Sequence, residues 1–508
     1  MNIGFVIGES KPDFITIQSS KPLAIGEYVI VNSNEGEILC LIGKSVIVSD
    51  AFSVVKNYQE AEESKELAND NPRDKSFISN LDVLGFLSDL KKGKMILPSI
   101  PPFPGTEVKY AQEKEIQTIF AQEGKKWVRV GNLLRNKDIE ARINLSKLIP
   151  RHLAVLAMTG MGKSNLITLI IKKIAEVHGT VIIFDYHDEY SGIKLKNINS
   201  LEAKINPRHL EFEEFAEVLE IPDSWAVQRT VLKKAFTNKV KQSKEFWLAL
   251  KNKIDEILES PEEKDNRHAA QRVLEKIDLA QIRFGDILDP DTENPISLIK
   301  EGFVNIINTG EFSEKQANIS LAFYLREILD DRKKATISKR NNQRISKGFH
   351  FNSPVFIIVE EAHVFIPKEG KADAKYWMSK IAREGRKFSI GLGIVSQRPR
   401  NIDPNVLSQM GSFAIMRLIQ PDDQNQIMNS VESVSRDLIR QITSLNVGNA
   451  ILTGQWVNLP SVVEIDEQKD KIMGADADPI QEWEMAHKMK NIAIENTQKI
   501  IRHDLVDE

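Results

Sequence analysis

Apolar and polar positions alternate in short runs through the first fifty residues: FVIG, DFITIQ, EYVIVN, EILCLIG and KSVIVS. Lys11-Pro12, Lys21-Pro22, Ile25-Gly26 and Asn34-Glu35-Gly36 separate them. Period-two alternation bounded by turn residues predicts half-buried strands, and this spacing predicts a small β-barrel or sandwich. Residues 59–75 are polar and read as a surface helix or loop. LDVLGFL and KMILPSI predict a second β segment, followed by a stiff connector at Pro101-Pro102-Phe103-Pro104-Gly105.

Beyond residue 125 the pattern changes. Residues 127–130 and 139–145 predict two more strands, and 153–157 (LAVLA) is a continuous apolar run of the kind buried in parallel sheets. LITLIIKKIAEV has helical length, and VIIFD at 181–185 is another buried strand with an acid at its end. Residues 200–300 carry helical periodicity with charged faces (FEEFAEVLE, EFWLALKNKIDEILES, AAQRVLEKIDLAQIRF). They read as an all-helical insertion. FVNII at 303–307 returns to strand, 316–329 is helical, and further strands are predicted at 354–359, 390–395, 413–418, 450–453 and 456–465. The fold class is α/β. The expected division is 1–125, the β unit; 126–200, the first part of the α/β core; 201–300, the helical insertion; 301–465, the second part of the core; and 466–508, a polar tail with one helical run. That tail has too little apolar surface to fold alone.

Composition narrows the class without naming a reaction. The 508 residues are 41% hydrophobic and 28% charged, which suits a soluble globular chain of two or three domains. No apolar stretch of about 18 residues occurs, so no transmembrane helix and no membrane partner are expected. The N-terminus lacks a secretory pattern and Cys40 is the single cysteine, which together point to a reducing cytoplasm. A net charge of −4 leaves no global basic footprint, so any nucleic-acid contact must be local. The run 332–347 holds seven Lys/Arg and no acid. It reads as a solvated helix end or mobile loop, with nucleic-acid contact as the alternative.

The chemistry centres on Thr159-Gly160-Met161-Gly162-Lys163-Ser164-Asn165, set between the strand at 153–157 and the helix after it. In that context the stretch is a Walker A loop. Its glycines turn backbone N–H groups toward a phosphate at a helix N-terminus, Lys163 reaches the β- and γ-phosphates, and Ser164 ligates Mg²⁺. The pattern asks for Gly at 157, where this chain has Ala; the methyl disfavours positive φ there but removes no phosphate-facing N–H. ATP and Mg²⁺ are the expected cofactors.

Strand 354–359 ends in Glu360-Glu361-Ala362-His363. After a P-loop, an acid at such a strand end holds Mg²⁺ and the next acid polarises the attacking water. Glu360 takes the first role and Glu361 the second. Asp185 and Glu189, at the end of the 181–185 strand and in His187-Asp188-Glu189-Tyr190, either meet the nucleotide or a neighbouring subunit, or simply cap the strand. Gln397 ends the strand after the Glu360-Glu361 pair, where a γ-phosphate sensor belongs. Arg386 and Arg383 are candidate fingers for a neighbour's site, with surface ion pairing as the alternative. Lys368, Lys371 and Lys375 lie in a predicted Gly-containing loop that hydrolysis can shift.

Read together, TGMGKSN, FDYHDEY, VEEAHVFIP, AREGRKFSIGLGIVSQRP and LSQMGSFAIMRL resemble the archaeal HerA family of the HerA/FtsK ATPases. The resemblance implies a RecA-like P-loop ATPase core, an N-terminal barrel shared with ATP synthase subunits, and a C-terminal brace. It implies a hexameric homo-oligomer that translocates double-stranded DNA with a NurA-type nuclease during DNA-end resection for break repair. In such a ring, Lys368, Lys371 and Lys375 would line the pore and Arg386 would act across the subunit boundary. A packaging or conjugative DNA pump, and a scaffold whose ATP cycle only switches assembly, are the alternative functions.

Overall fold

A computed structural model describes residues 2–71, 74–120, 122–340, 349–370, 372–431, 436–468 and scattered positions between 480 and 488. Strands β1 (Asn2–Val6), β2 (Phe14–Ser19), β3 (Tyr28–Ser33), β4 (Gly36–Ser49), β5 (Lys75–Phe86) and β6 (Glu107–Tyr110) form one antiparallel unit. They close in the order β1-β2-β5-β4-β3-β6, a barrel and not a sandwich. The inward positions of the alternating runs, among them Ile15, Ile17, Val29, Val31, Ile38, Cys40 and Ile42, are its core. Closure brings β1 against β2 so tightly that a Cβ on Gly4 would lie 2.3 Å from the Gln18 carbonyl. The helix Tyr58–Asp70 buries none of its residues, as its polar composition predicts. KMILPSI is not a strand. Pro98, Pro101 and Pro102 supply no N–H for a ladder, and Ile96 only caps the end of β5 by accepting from the Phe86 N–H at 3.0 Å.

The second unit is an eleven-stranded sheet. Its strands are β7 (Trp127–Leu133), β8 (Glu140–Asn144), β9 (Leu153–Leu156), β10 (Thr180–Asp185), β11 (Ile198–Glu202), β12 (Val304–Asn308), β13 (Val355–Val359), β14 (Ile390–Ser396), β15 (Ser412–Ile415), β16 (Asn449–Gly454) and β17 (Ser461–Ile465). The order is β11-β12-β10-β13-β14-β9-β15-β16-β17-β7-β8. From β11 to β15 all neighbours are parallel; from β15 to β8 they are antiparallel. Parallel strands must be covered on both faces, which is why β9, β13 and β14 are apolar and buried throughout. Register aligns Leu156 with Ser396, Ile394 with Val359, and Val359 with Phe184. The ends of β9, β14, β13 and β10 therefore share one edge of the sheet.

Four expectations are corrected here. The expected all-helical insertion begins inside β11, a polar edge strand whose sequence, INSLE, carries no apolar alternation. Its helices follow from Phe212 and gather around Phe215, Phe236, Phe246 and Trp247. The helix expected at 316–329 runs from Glu314–Arg340. It absorbs the start of the basic run because Arg332 is buried and donates to the carbonyls of Phe388 and Phe351 at 2.8–3.0 Å. Arg332 is thus a packing residue; 341–347 lie outside the described residues. Last, 456–460 is a turn. Trp456 is buried there, its indole N–H donating to Thr453 at 2.9 Å, and only Ser461–Ile465 is strand. Most of the expected tail, from 469 on, lies outside the described residues. No helix among the described residues is long and apolar enough to cross a membrane.

Candidate nucleotide site

The P-loop leaves the sheet after β9 with Gly160 at φ 78° and Gly162 at φ 101°. Both lie in the left-handed region, and together they aim successive N–H groups at the start of helix Lys163–Glu176. Ala157 is not a positive-φ position: it still belongs to the sheet, donating to the Ser396 carbonyl at 3.2 Å, so the missing glycine costs nothing. Met161 is buried and its carbonyl accepts from Gly448 at 3.1 Å, which pins the loop from outside. Burial pushes the Lys163 ammonium below the ordinary lysine range, opposed by Glu361, Glu189 and Glu360. Its Nζ lies 3.5 Å from the Met158 carbonyl.

Beside it, the acid ending β10 organises a turn. Asp185 accepts from the N–H groups of Glu189 and Tyr190, each at 2.9 Å. This sets Glu189 against Ser164, whose hydroxyl donates to it, and Tyr190 against Glu360, whose Oε1 accepts from the phenol at 2.6 Å. Asp185 thereby positions both neighbours from the end of β10. Glu360 is buried, with Oε2 lacking a hydrogen-bond partner among the described residues. Burial, then the charges of Glu189 and Asp185, push its carboxyl well above the usual range. A lone buried carboxylate oxygen, two more acids and a serine hydroxyl make a donor set suited to a hard cation. Among the described residues no three His, Cys, Asp or Glu side chains converge to hold one unaided. Phosphate oxygens and water would have to complete the coordination, which is the habit of Mg²⁺.

Glu361 has the opposite character. It sits at φ 42°, ψ 44° where β13 ends, and that left-handed step breaks the alternation that would send it away from Glu360. Its Oε1 accepts from Gln397 Nε2 at 3.2 Å and lies 3.7 Å from His187 Nε2. Its Oε2 lies 3.1 Å from His363 Nδ1. Burial raises its carboxyl, but His363, Lys163 and His187 outweigh that and bring it below the ordinary range. Gln397 also accepts from Thr159 Oγ1, so one side chain joins the P-loop to the second carboxylate.

Lys163, Ser164, Glu360, Glu361, Gln397 and Thr159 thus come together at one edge of the sheet, as their motifs predict, and Glu189 joins them through Ser164. Others do not. The Asn165 amide faces the chain beyond β17, donating to the Asp466 carbonyl at 3.0 Å and accepting from Gln468 N–H at 2.8 Å. That side chain holds the chain's return beside the P-loop helix. Lys375 is not in a loop: it lies on helix Asp373–Glu384, bonded to the Pro367 carbonyl at 2.7 Å and paired with Asp403 at 2.9 Å. Lys368 is exposed, and Lys371 lies outside the described residues. Arg383 and Arg386 are exposed just before β14, at the sheet edge opposite the P-loop. Tyr190, His187 and His363 are parts of the site that motif reading left without roles; the only signal for them was adjacency to an acid.

Residues 128–328 match the family model described as "Helicase HerA, central domain". The DNA double-strand break repair helicase HerA of Saccharolobus solfataricus is 35% identical over 97% of this chain and 98% of its own. That of Sulfurisphaera tokodaii is 34% identical over 96% and 97%. Among solved structures, VirB4 of Thermoanaerobacter pseudethanolicus aligns with a TM-score of 0.49 at 12% identity, over 68% of this chain and 98% of its own, too distant to bear on function. Similarity to the curated relatives runs through both the barrel and the nucleotide site, and the chain belongs to the HerA helicase family.

Proposed function

We propose that this protein hydrolyses ATP to move along double-stranded DNA. We propose further that it works as a homo-hexameric ring and partners a NurA-type nuclease in DNA-end resection. The observation that carries the ATPase reading is the continuous link from Thr159 through Gln397 to Glu361, which sets a base-competent carboxylate beside the P-loop lysine. DNA as the substrate is supported by the relatives, which are named as DNA double-strand break repair helicases.

The chain's own groups divide the work. N–H groups of 160–164 and the Lys163 ammonium receive the β- and γ-phosphates and balance their charge. Ser164 and Glu360 would hold Mg²⁺, which screens the phosphates when bound. Glu361 orients a water and takes its proton, and Gln397 keeps that carboxylate in line with the γ-phosphate.

The test is ATPase rate with and without duplex DNA, on material sized by light scattering. Duplex DNA should raise the rate. Lys163→Ala should lose nucleotide binding, whereas Glu361→Gln should bind ATP and not turn it over, since an amide takes no proton. Turnover by Glu361→Gln near the wild-type rate would remove the base. An ATPase indifferent to DNA would favour the assembly switch, and failure to co-purify with a nuclease would favour a packaging or conjugative pump.

A further inference from the structure

Two parallel strands flank β9, and both hold the entry to the P-loop. On the β14 side the Ala157 N–H donates to the Ser396 carbonyl at 3.2 Å. On the β15 side the Met416 N–H donates to the Leu156 carbonyl at 2.9 Å, and the Met158 N–H to the Arg417 carbonyl at 3.0 Å. Register pairs Ile415, the end of β15, with Leu156. The ladder therefore runs past the strand and reaches Arg417. Met158 also turns toward the P-loop lysine, its carbonyl lying 3.5 Å from Lys163 Nζ. A single residue thus stands between the Arg417 backbone and the P-loop ammonium.

Arg417 is half-buried, and its Nε is enclosed with no hydrogen-bond partner among the described residues. Among those residues its guanidinium has no ion pair and no aromatic contact either. A guanidinium keeps its charge at any working pH, and an enclosed N–H without an acceptor never recovers its desolvation cost. Such an orphan calls for a partner that the chain does not supply. The planar fork of an arginine suits a phosphate. Its position selects which one. Glu361 and Gln397 stand on the β13 and β14 side of β9, where the proposed base would orient water, and Arg417 stands on the β15 side. Attacking and leaving oxygens lie in line on opposite sides of the transferring phosphoryl group. Arg417 is therefore on the leaving side.

We propose that Arg417 is a further nucleotide-contacting residue, whose guanidinium takes the β-phosphate of ATP held in the same subunit and balances the charge that grows there in hydrolysis. In that step the bond from the γ-phosphorus to the β–γ bridging oxygen breaks and its electron pair stays on ADP. Water supplies the new oxygen, and its proton passes to Glu361. The assignment rests on the ATPase reading.

The experiment measures, by calorimetry, affinity for ADP and for a non-hydrolysable ATP analogue, each with Mg²⁺, in wild type, Arg417→Met and Arg417→Gln. The melting temperature of each nucleotide-free protein is taken alongside. Met fills the space of the arginine stem without its charge, and Gln keeps a polar end should Met not fold. Either variant should bind both nucleotides more weakly by a similar factor, roughly 10- to 100-fold, the usual loss of a hydrogen bond to a charged group. Without nucleotide, the Met variant should melt no lower than wild type, because the orphaned Nε is gone. Unchanged ADP affinity in a folded variant would overturn the proposal, and a lower nucleotide-free melting temperature beside it would make Arg417 a packing residue. A loss confined to the ATP analogue would put the contact on the γ-phosphate and overturn the leaving-side assignment. A wild type that binds neither nucleotide sinks the ATPase reading itself, whereas a wild type and variants that bind ADP equally well sink Arg417 alone.

Discussion

Gln397 Nε2 donates to Glu361 Oε1 at 3.2 Å while Gln397 Oε1 accepts from Thr159 Oγ1. One amide thus uses its donor on the proposed base and its acceptor on the P-loop, so displacement of either end is felt at the other.

That double use makes Gln397→Ala a test of alignment and not of binding. Lys163, Ser164 and the loop N–H groups remain, so ATP affinity should change little. Turnover should fall by about 10²–10³, the usual loss when one preorganised polar contact to the reacting centre is removed. Gln397→Glu should be no better, because a second carboxylate cannot donate to Glu361. Equilibrium binding of a fluorescent ATP analogue and single-turnover hydrolysis separate the two quantities; a large loss of affinity with normal turnover would contradict the alignment role.

The parts of the site legible in the chain were those whose chemistry is local. Residues 159–164 are contiguous, and Glu360, Glu361 and Gln397 each follow an apolar strand, so spacing alone located them. The partners came from far away. Tyr190 meets Glu360 across 170 residues and Asn165 meets Gln468 across 303, and no periodicity reports such contacts. Barrel and sandwich were indistinguishable because they differ only in whether β1 pairs with β6, a register between the first and last strands of the unit. Lys375 misled because Gly370 and Pro367 suggested a loop, whereas its ammonium is neutralised by Asp403, a residue of another segment.

His152 predicts an acid limb in the stability profile. It closes the turn into β9, buried, with Nδ1 accepting from the Leu392 N–H at 3.0 Å. Burial lowers its imidazole from 6.5 to about 4. Above about 6.5 the ring is neutral in both folded and unfolded chains and contributes no pH dependence. As pH falls from there toward about 4, the unfolded chain takes up a proton that the folded chain refuses, so stability is lost over that window. The loss reaches at most about 3 kcal/mol. His152→Asn keeps an acceptor for Leu392 without the titration. Its melting temperature should be lower at pH 7 but should fall less between pH 7 and pH 5 than the wild type's. Parallel slopes in the two proteins would show that His152 does not supply this limb.

Lys368 and Lys375 should separate cleanly when DNA affinity is measured against salt. Lys368 is exposed beside Arg400, whereas Lys375 is spent on Asp403 and the Pro367 carbonyl. Each neutralised phosphate contributes about 0.9 to the slope of log affinity on log salt. Lys368→Ala should flatten the slope by about that amount, with little change in melting temperature. Lys375→Ala should leave the slope unchanged and lower the melting temperature, because Asp403 and the Pro367 carbonyl lose their donor. A slope change in Lys375→Ala at normal stability would return that lysine to the DNA surface.

Arg386 cannot serve its own nucleotide. It precedes β14, a strand of seven residues that ends at the P-loop edge, so at about 3.3 Å per residue the arginine lies roughly 20 Å from its own γ-phosphate position. Among the described residues neither its guanidinium nor that of Arg383 has an ion-pair partner, which argues against a cis salt bridge as its purpose. In the proposed ring, an arginine at the edge opposite its own P-loop would face a neighbour's site, where a finger contributes about 10³–10⁵ in rate. Arg386→Ala should then bind ATP and hydrolyse it very slowly. Mixing decides whether it acts in trans. Lys163→Ala subunits offer a dead pocket with an intact arginine, and Arg386→Ala subunits offer the converse. Rings assembled from both should recover part of the lost hydrolysis, because some boundaries pair an intact pocket with an intact finger. If mixed rings whose subunits have demonstrably exchanged recover none, Arg386 does not complete the neighbouring site, and Arg383 becomes the next residue to test by the same complementation.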